Sequence, residues 1–170
     1  MLRIRAAVRL ACFNQPFKKA LITAASIGAE AVEIDARTEL DMRDLSDSAI
    51  RHISKLLEDQ GLAVSALTFQ TRRGYNVYAD LDRRVDATKR AMQLAYRLGA
   101  KVVVNRFGRV PEESIHPDFE MLRDVLTDIG EYGQRVGVSL AGRTGAEAGA
   151  TLAELLKQLP PGCGAVDFDP

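Results

Sequence analysis

Through three long stretches of this chain, apolar residues return every three to four positions, and each stretch runs into a glycine followed at once by a short apolar burst. Between Ser46 and Gln60 the stripe is Ala49, Ile50, Ile53, Leu56 and Leu57. Between Leu81 and Leu98 it is Leu81, Val85, Met92, Ala95 and Leu98. Between Phe119 and Val136 it is Phe119, Leu122, Val125, Leu126 and Ile129. This spacing predicts amphipathic helices with one face on an apolar layer. Ser46 or Asp47 is placed to cap the first of them.

The bursts predict strands. Leu62-Ala63-Val64 and Val102-Val103-Val104 are apolar without alternation, as expected of strands buried on both faces. The junctions recur around Gly28, Gly61, Gly99 and Gly137, and more loosely around Gly162 and Gly164. A glycine just past a helix end closes the last turn in the left-handed conformation without a Cβ clash. Strands are therefore expected near residues 3–10, 31–35, 62–69, 101–105, 137–142 and 164–168, with helices between them. Alternation of this kind implies parallel strands joined by crossovers. Six strands and five helices form either an open sheet covered on both sides or part of a (β/α)8 barrel, which usually needs about 250 residues. The segment after the first strand, ACFNQPFKK, is no glycine-rich phosphate loop, so the dinucleotide-binding form of the open sheet has no support.

Composition narrows the classes. The chain has 170 residues, 46% hydrophobic and 27% charged, in the range of an ordinary globular domain. Lys plus Arg and Asp plus Glu are both 23, which removes the broad basic footprint of a nucleic-acid binder. The basic start MLRIRAAVRLAC is broken by Arg9 and lacks a small-residue cleavage site, so it reads as a first strand rather than a signal peptide. No run approaches the roughly 18 apolar residues of a membrane span. Cys12 and Cys163 have no CxxC companion and read as two reduced thiols, and the expected location is cytoplasmic.

In parallel α/β folds ligands meet the carboxyl ends of the strands. The residues there are Asn14, Glu33 and Asp35, Gln70 to Tyr75, Asn105, Arg106 and His116, Arg143 and Thr144, and Asp167 and Asp169. Arg72 and Arg73 in QTRRGY either grip a phosphate or carboxylate or solvate a long loop. His116 precedes Pro117 at a helix start, where capping or solvent exposure is a commoner fate than binding a ligand. His52 falls mid-helix, away from the strand ends. With two histidines in the whole chain, a multi-zinc hydrolytic centre is disfavoured, and no G-x-S-x-G marks a serine triad. Arg72, Arg73, Asn105, Arg106, His116 and Arg143 are the candidate substrate-binding residues.

The stretch LTFQTRRGYNVYADLDRRVDATKRAMQLAYRLGAKVVVNRFGRVPEE, Leu67 to Glu113, resembles the third strand, third helix and fourth strand of xylose isomerase-like sugar phosphate isomerases and epimerases. GQRVGVSLAGRTG and GAVDFDP resemble that family's fifth and sixth strands. The resemblance implies a TIM (β/α)8-type barrel, here one domain over 1–170 lacking its last two β-α units. It also implies a divalent metal (Mn, Mg or Zn) that orients a sugar-like substrate while two glutamates move a proton between neighbouring carbons. Carried over residue by residue, the sixth-strand metal ligand falls on Asp169, and the fifth-strand glutamate falls on Arg143. Arginine stays protonated. With about 4 kcal/mol per unit-charge pair near 4 Å at an effective dielectric near 20, reversing a ligand's sign beside a dication costs on the order of 10 kcal/mol. The family metal is therefore in doubt here, and Arg143 either binds an anionic substrate group or is inert.

Two readings follow. One is an impaired isomerase or epimerase of this family. The other is a non-catalytic relative that binds a small sugar-like or anionic molecule. Nucleic-acid processing on the related endonuclease barrel is disfavoured by the neutral charge and scarce histidine. An unclosed barrel leaves two strand edges unpaired, so a homo-oligomer, expected to be a dimer, is the predicted assembly.

Overall fold

In the computed structural model, which describes residues 6–40, 42, 45–145 and 148–168, strands and helices alternate from end to end. The strands are β1 (Ala7–Arg9), β2 (Ala31–Asp35), β3 (Ala63–Thr68), β4 (Val102–Asn105), β5 (Ser139–Arg143) and β6 (Ala165–Asp167). The helices are α1 (Phe17–Ser26), α2 (Asp47–Asp59), α3 (Leu81–Arg97), α4 (Pro117–Val136) and α5 (Gly149–Lys157), with a short 3-10 turn over Leu10–Phe13. The glycine junctions do what their spacing requires. Gly28, Gly61, Gly99 and Gly137 all have φ between 65° and 82°. Ser46 caps α2, its side chain accepting from the Ala49 amide.

The six strands are parallel and lie in the order β1-β2-β3-β4-β5-β6. This order decides between the two architectures left open by the sequence. A doubly wound sheet puts its first strand in the middle, whereas a barrel adds each strand on the same side of the last. The sheet is also curled. Strands β2 and β5 are three strands apart, about 14 Å on a flat sheet, yet Arg143 of β5 reaches Glu33 of β2 at 3.4 Å.

Register sorts the side chains onto two faces. Val32, Ile34, Leu67, Val103 and Leu140 pack outward with Leu57, Ala91, Met92, Leu122, Leu126 and Ile129 of the helices into one apolar cluster. This burial supplies the main stabilisation, at roughly 25 cal/mol per Å² of apolar surface removed from water. The opposite, concave face is different. Arg9 stands beside Glu33 and Arg143 beside Asp167, with the small residues Ala66, Ala141 and Ala165 on the same face. Alanines at these places leave room for long charged side chains inside the curl. On β6 the outward Val166 is 45% exposed and Phe168 beyond it 75%. No helix among the described residues is long and apolar enough to cross a membrane.

Candidate functional site

Two loops frame the carboxyl end of the sheet, and both are held from below by one amide. Asn105 ends β4 and is fully buried. Its Oδ1 accepts from the backbone amides of Thr71 (3.0 Å) and Arg106 (2.7 Å), and its Nδ2 donates to the Tyr75 hydroxyl (2.6 Å). Tyr75, also buried, passes its own proton to Thr88 Oγ1 (2.7 Å), because that hydroxyl donates in turn to the Arg84 carbonyl. Burial pushes the Tyr75 phenol up to about 12, against the pull of its hydrogen bonds to Thr88 and Asn105. It is a neutral donor at any working pH. The loops after β3 and β4 then touch backbone to backbone: a Cβ on Gly74 would stand 2.3 Å from Gly108 Cα. Only glycine fits there, and Gly108 also has φ +113°.

On the concave face the charges form a second network. Arg143, 7% exposed at its side chain, donates from Nε to Asp167 Oδ2 (2.8 Å) and from Nη2 to Glu33 Oε1 (3.4 Å). Glu33 Oε1 also accepts from Arg9 Nε (2.9 Å) and from the Thr68 hydroxyl. Burial draws the Arg143 guanidinium down, but Asp167 and Glu33 together outweigh it and hold the group above its ordinary value. Two arginines face two carboxylates, and the network carries no net charge. Beside it, the carboxyl of Glu39 is raised by burial, with the nearby Asp35 and Glu33 charges adding and a hydrogen bond from the Asp35 amide (2.6 Å) opposing.

Above these two networks opens a cleft of about 950 Å³ between the segment after β4 and the segment after β5. Arg106, Arg109 and Arg143 bring cationic groups to its lining, Glu112 and Asp118 bring carboxylates, and Asn76, His116, Thr144 and Thr151 add further polar groups. His116 is the N-cap of α4, its Nδ1 accepting from the Asp118 amide (3.1 Å). Of the residues singled out by sequence, the fold gathers Arg106, His116 and Arg143 at this cleft. Asn105 lies beneath it as the amide that holds both loops. Arg72 and Arg73 are exposed on the neighbouring loop, and Asp169 lies outside the described residues. Arg109 and Arg9 were not singled out. Arg9 carried a signal in its place between Val8 and Leu10, where one charge on a strand marks the face opposite the helices. Arg109 sits on an irregular loop and carried none.

The family profile described as xylose isomerase-like TIM barrel matches residues 21–169. The chain belongs to this family. No curated protein matches it at a significant level. Solved structures share the fold at low identity. A xylose isomerase domain protein from Planctomyces limnophilus superposes with a TM-score of 0.81 at 19% identity, over 97% of this chain and 63% of its own. The D-psicose 3-epimerase of Clostridium cellulolyticum H10, solved with D-tagatose, gives 0.79 at 12% identity over 98% and 63%. A xylose isomerase-like TIM barrel protein from Mycobacterium smegmatis, solved in complex with magnesium, gives 0.74 at 18% identity over 98% and 63%. The chain spans a little under two thirds of the length of these relatives.

The donor set present does not fit the divalent ion implied by the family resemblance. The fifth-strand position that would supply a carboxylate supplies the Arg143 guanidinium, and the carboxylates nearest to it are already bridged by that cation. Among the described residues no group of three or more His, Cys, Asp or Glu side chains converges to hold a metal.

Proposed function

We propose that this chain is a xylose isomerase-like barrel protein that binds a small acidic, sugar-like molecule at the carboxyl end of β4 and β5, with the family's metal-assisted proton transfer impaired. The observation that carries the reading is Arg143: a fixed guanidinium at the end of β5, bound by two carboxylates, in the wall of an open cleft. The proton shift implied by the resemblance calls for a metal held at that position, and a permanent cation there repels one. The cleft is nevertheless equipped for recognition. Arg106 and Arg109 offer forked donors to a phosphate or carboxylate. Asp118 and Glu112 accept from sugar hydroxyls, and Asn76, Thr144 and Thr151 make hydrogen bonds of either sense. A mixed lining of this kind suits a polyhydroxylated anion better than a purely apolar ligand.

The test is a calorimetric titration with D-fructose 6-phosphate and with D-fructose. The phosphorylated sugar is expected to bind the wild type, and Arg106→Ala/Arg109→Ala is expected to weaken it at least about tenfold, the factor that a loss of about 1.4 kcal/mol represents. Equal affinity for the two sugars, or magnesium-dependent interconversion of D-psicose and D-fructose by the purified chain, would contradict the reading.

A further inference from the structure

Arg143 does more than line the cleft. Its Nε and Nη2 engage carboxylates from strands on opposite sides of the curl, Asp167 on β6 and Glu33 on β2. A guanidinium bridging two carboxylates lies where a small dication would otherwise draw them together, since both cations satisfy the same pair of anionic oxygens. The surroundings are built around that cation. The side chain is 7% exposed, Glu33 is 18% and Asp167 30%, and the same face carries the small residues Ala66, Ala141 and Ala165. Arg9 and Thr68 bind the same Glu33 oxygen as Arg143 Nη2, so three donors converge on Oε1.

We propose that Arg143 is the resident cation of the barrel interior: its guanidinium bridges Glu33 and Asp167, keeps divalent metal out from between them, and would leave a divalent-cation site if removed. This goes beyond ligand binding in the cleft, because it concerns which cation organises the concave face. It rests on the proposed function in one respect, the displacement of the family's metal by Arg143; the calorimetric titration reads ligand binding and the manganese titration reads the cation, so the two failures are distinguishable.

The experiment is Mn²⁺ titration followed by the electron paramagnetic resonance signal of the free hydrated ion, on wild type, Asp167→Asn, Arg143→Ala and Arg143→Ala/Asp167→Asn. Wild type is expected to leave the signal unchanged at stoichiometric concentrations. Arg143→Ala is expected to take up one ion per chain at least about tenfold more tightly than wild type, and the added Asp167→Asn to abolish that uptake. Stoichiometric binding by wild type that Asp167→Asn removes would overturn the proposal. So would a folded Arg143→Ala that binds no ion. If circular dichroism shows Arg143→Ala unfolded, Arg143→Gln, which keeps a hydrogen-bonding side chain without the charge, takes its place under the same criteria. Should neither fold, the wild-type titration decides alone.

Discussion

Two polar networks hold the carboxyl end of this sheet, and they are built on opposite principles. The first runs Thr71–Asn105–Tyr75–Thr88 and is neutral, largely buried and directional, and the chain of bonds ends on the Arg84 carbonyl. The second runs Arg9–Glu33–Arg143–Asp167 and is charged, partly open to solvent, and shares its donors on one oxygen. A neutral buried network is stabilising only when every member is satisfied, and it then fixes one loop geometry. A charged one has its attraction largely offset by desolvation and screening. The first therefore shapes the site, while the second sets the charge that a ligand or metal meets.

Removing a member of each network should expose that difference. Asn105→Ala strands the Thr71 and Arg106 amides and takes a donor from Tyr75, and is expected to cost about 3 kcal/mol of stability by denaturant unfolding. A cost under about 1 kcal/mol would mean that the loops after β3 and β4 are held by something else. Arg143→Met keeps most of the buried volume and leaves Glu33 still paired with Arg9. It should cost less, about 1–2 kcal/mol, with a marked salt dependence. A loss equal to that of Asn105→Ala would erase the distinction between the networks.

The smallest effect has the opposite sign. The Glu39 carboxyl is raised in the folded chain, chiefly by burial. Its contribution to stability is thus fully present below the ordinary glutamate value of about 4.3 and is lost as the pH rises through the folded value. Glu39→Gln should therefore gain stability relative to wild type between pH 4 and pH 7, by less than about 0.5 kcal/mol for a side chain still partly in solvent. A relative loss over that interval would show that the Glu39 charge is favourable in place.

The fold was legible because the apolar layer wrote it twice, in the period of α2, α3 and α4 and in the unbroken bursts of β3 and β4. The strand order was not, since a six-strand chain of β-α units fits two windings, and only spatial pairing separates them. The site was legible in part. Arg106, His116 and Arg143 stand at strand ends and helix starts, where spacing places them, and the capping role open to His116 is the one it takes. Arg143 paired with Glu33 was not foreseeable, because 110 positions separate them and only the curl brings them together. Nor was the interior task of Asn105, since a lone amide at a strand end gives no sign of whether it turns toward ligand or loop.

The most direct test of the account is the affinity of the wild-type chain for D-fructose 6-phosphate in EDTA and again in excess Mg²⁺. If the guanidiniums read the ligand and the interior admits no metal, the two dissociation constants agree within about twofold, allowing for weak pairing of Mg²⁺ with the free phosphate. Binding that disappears in EDTA and returns with Mg²⁺ would contradict it, and would place a metal-dependent sugar site in a chain whose fifth strand ends in arginine.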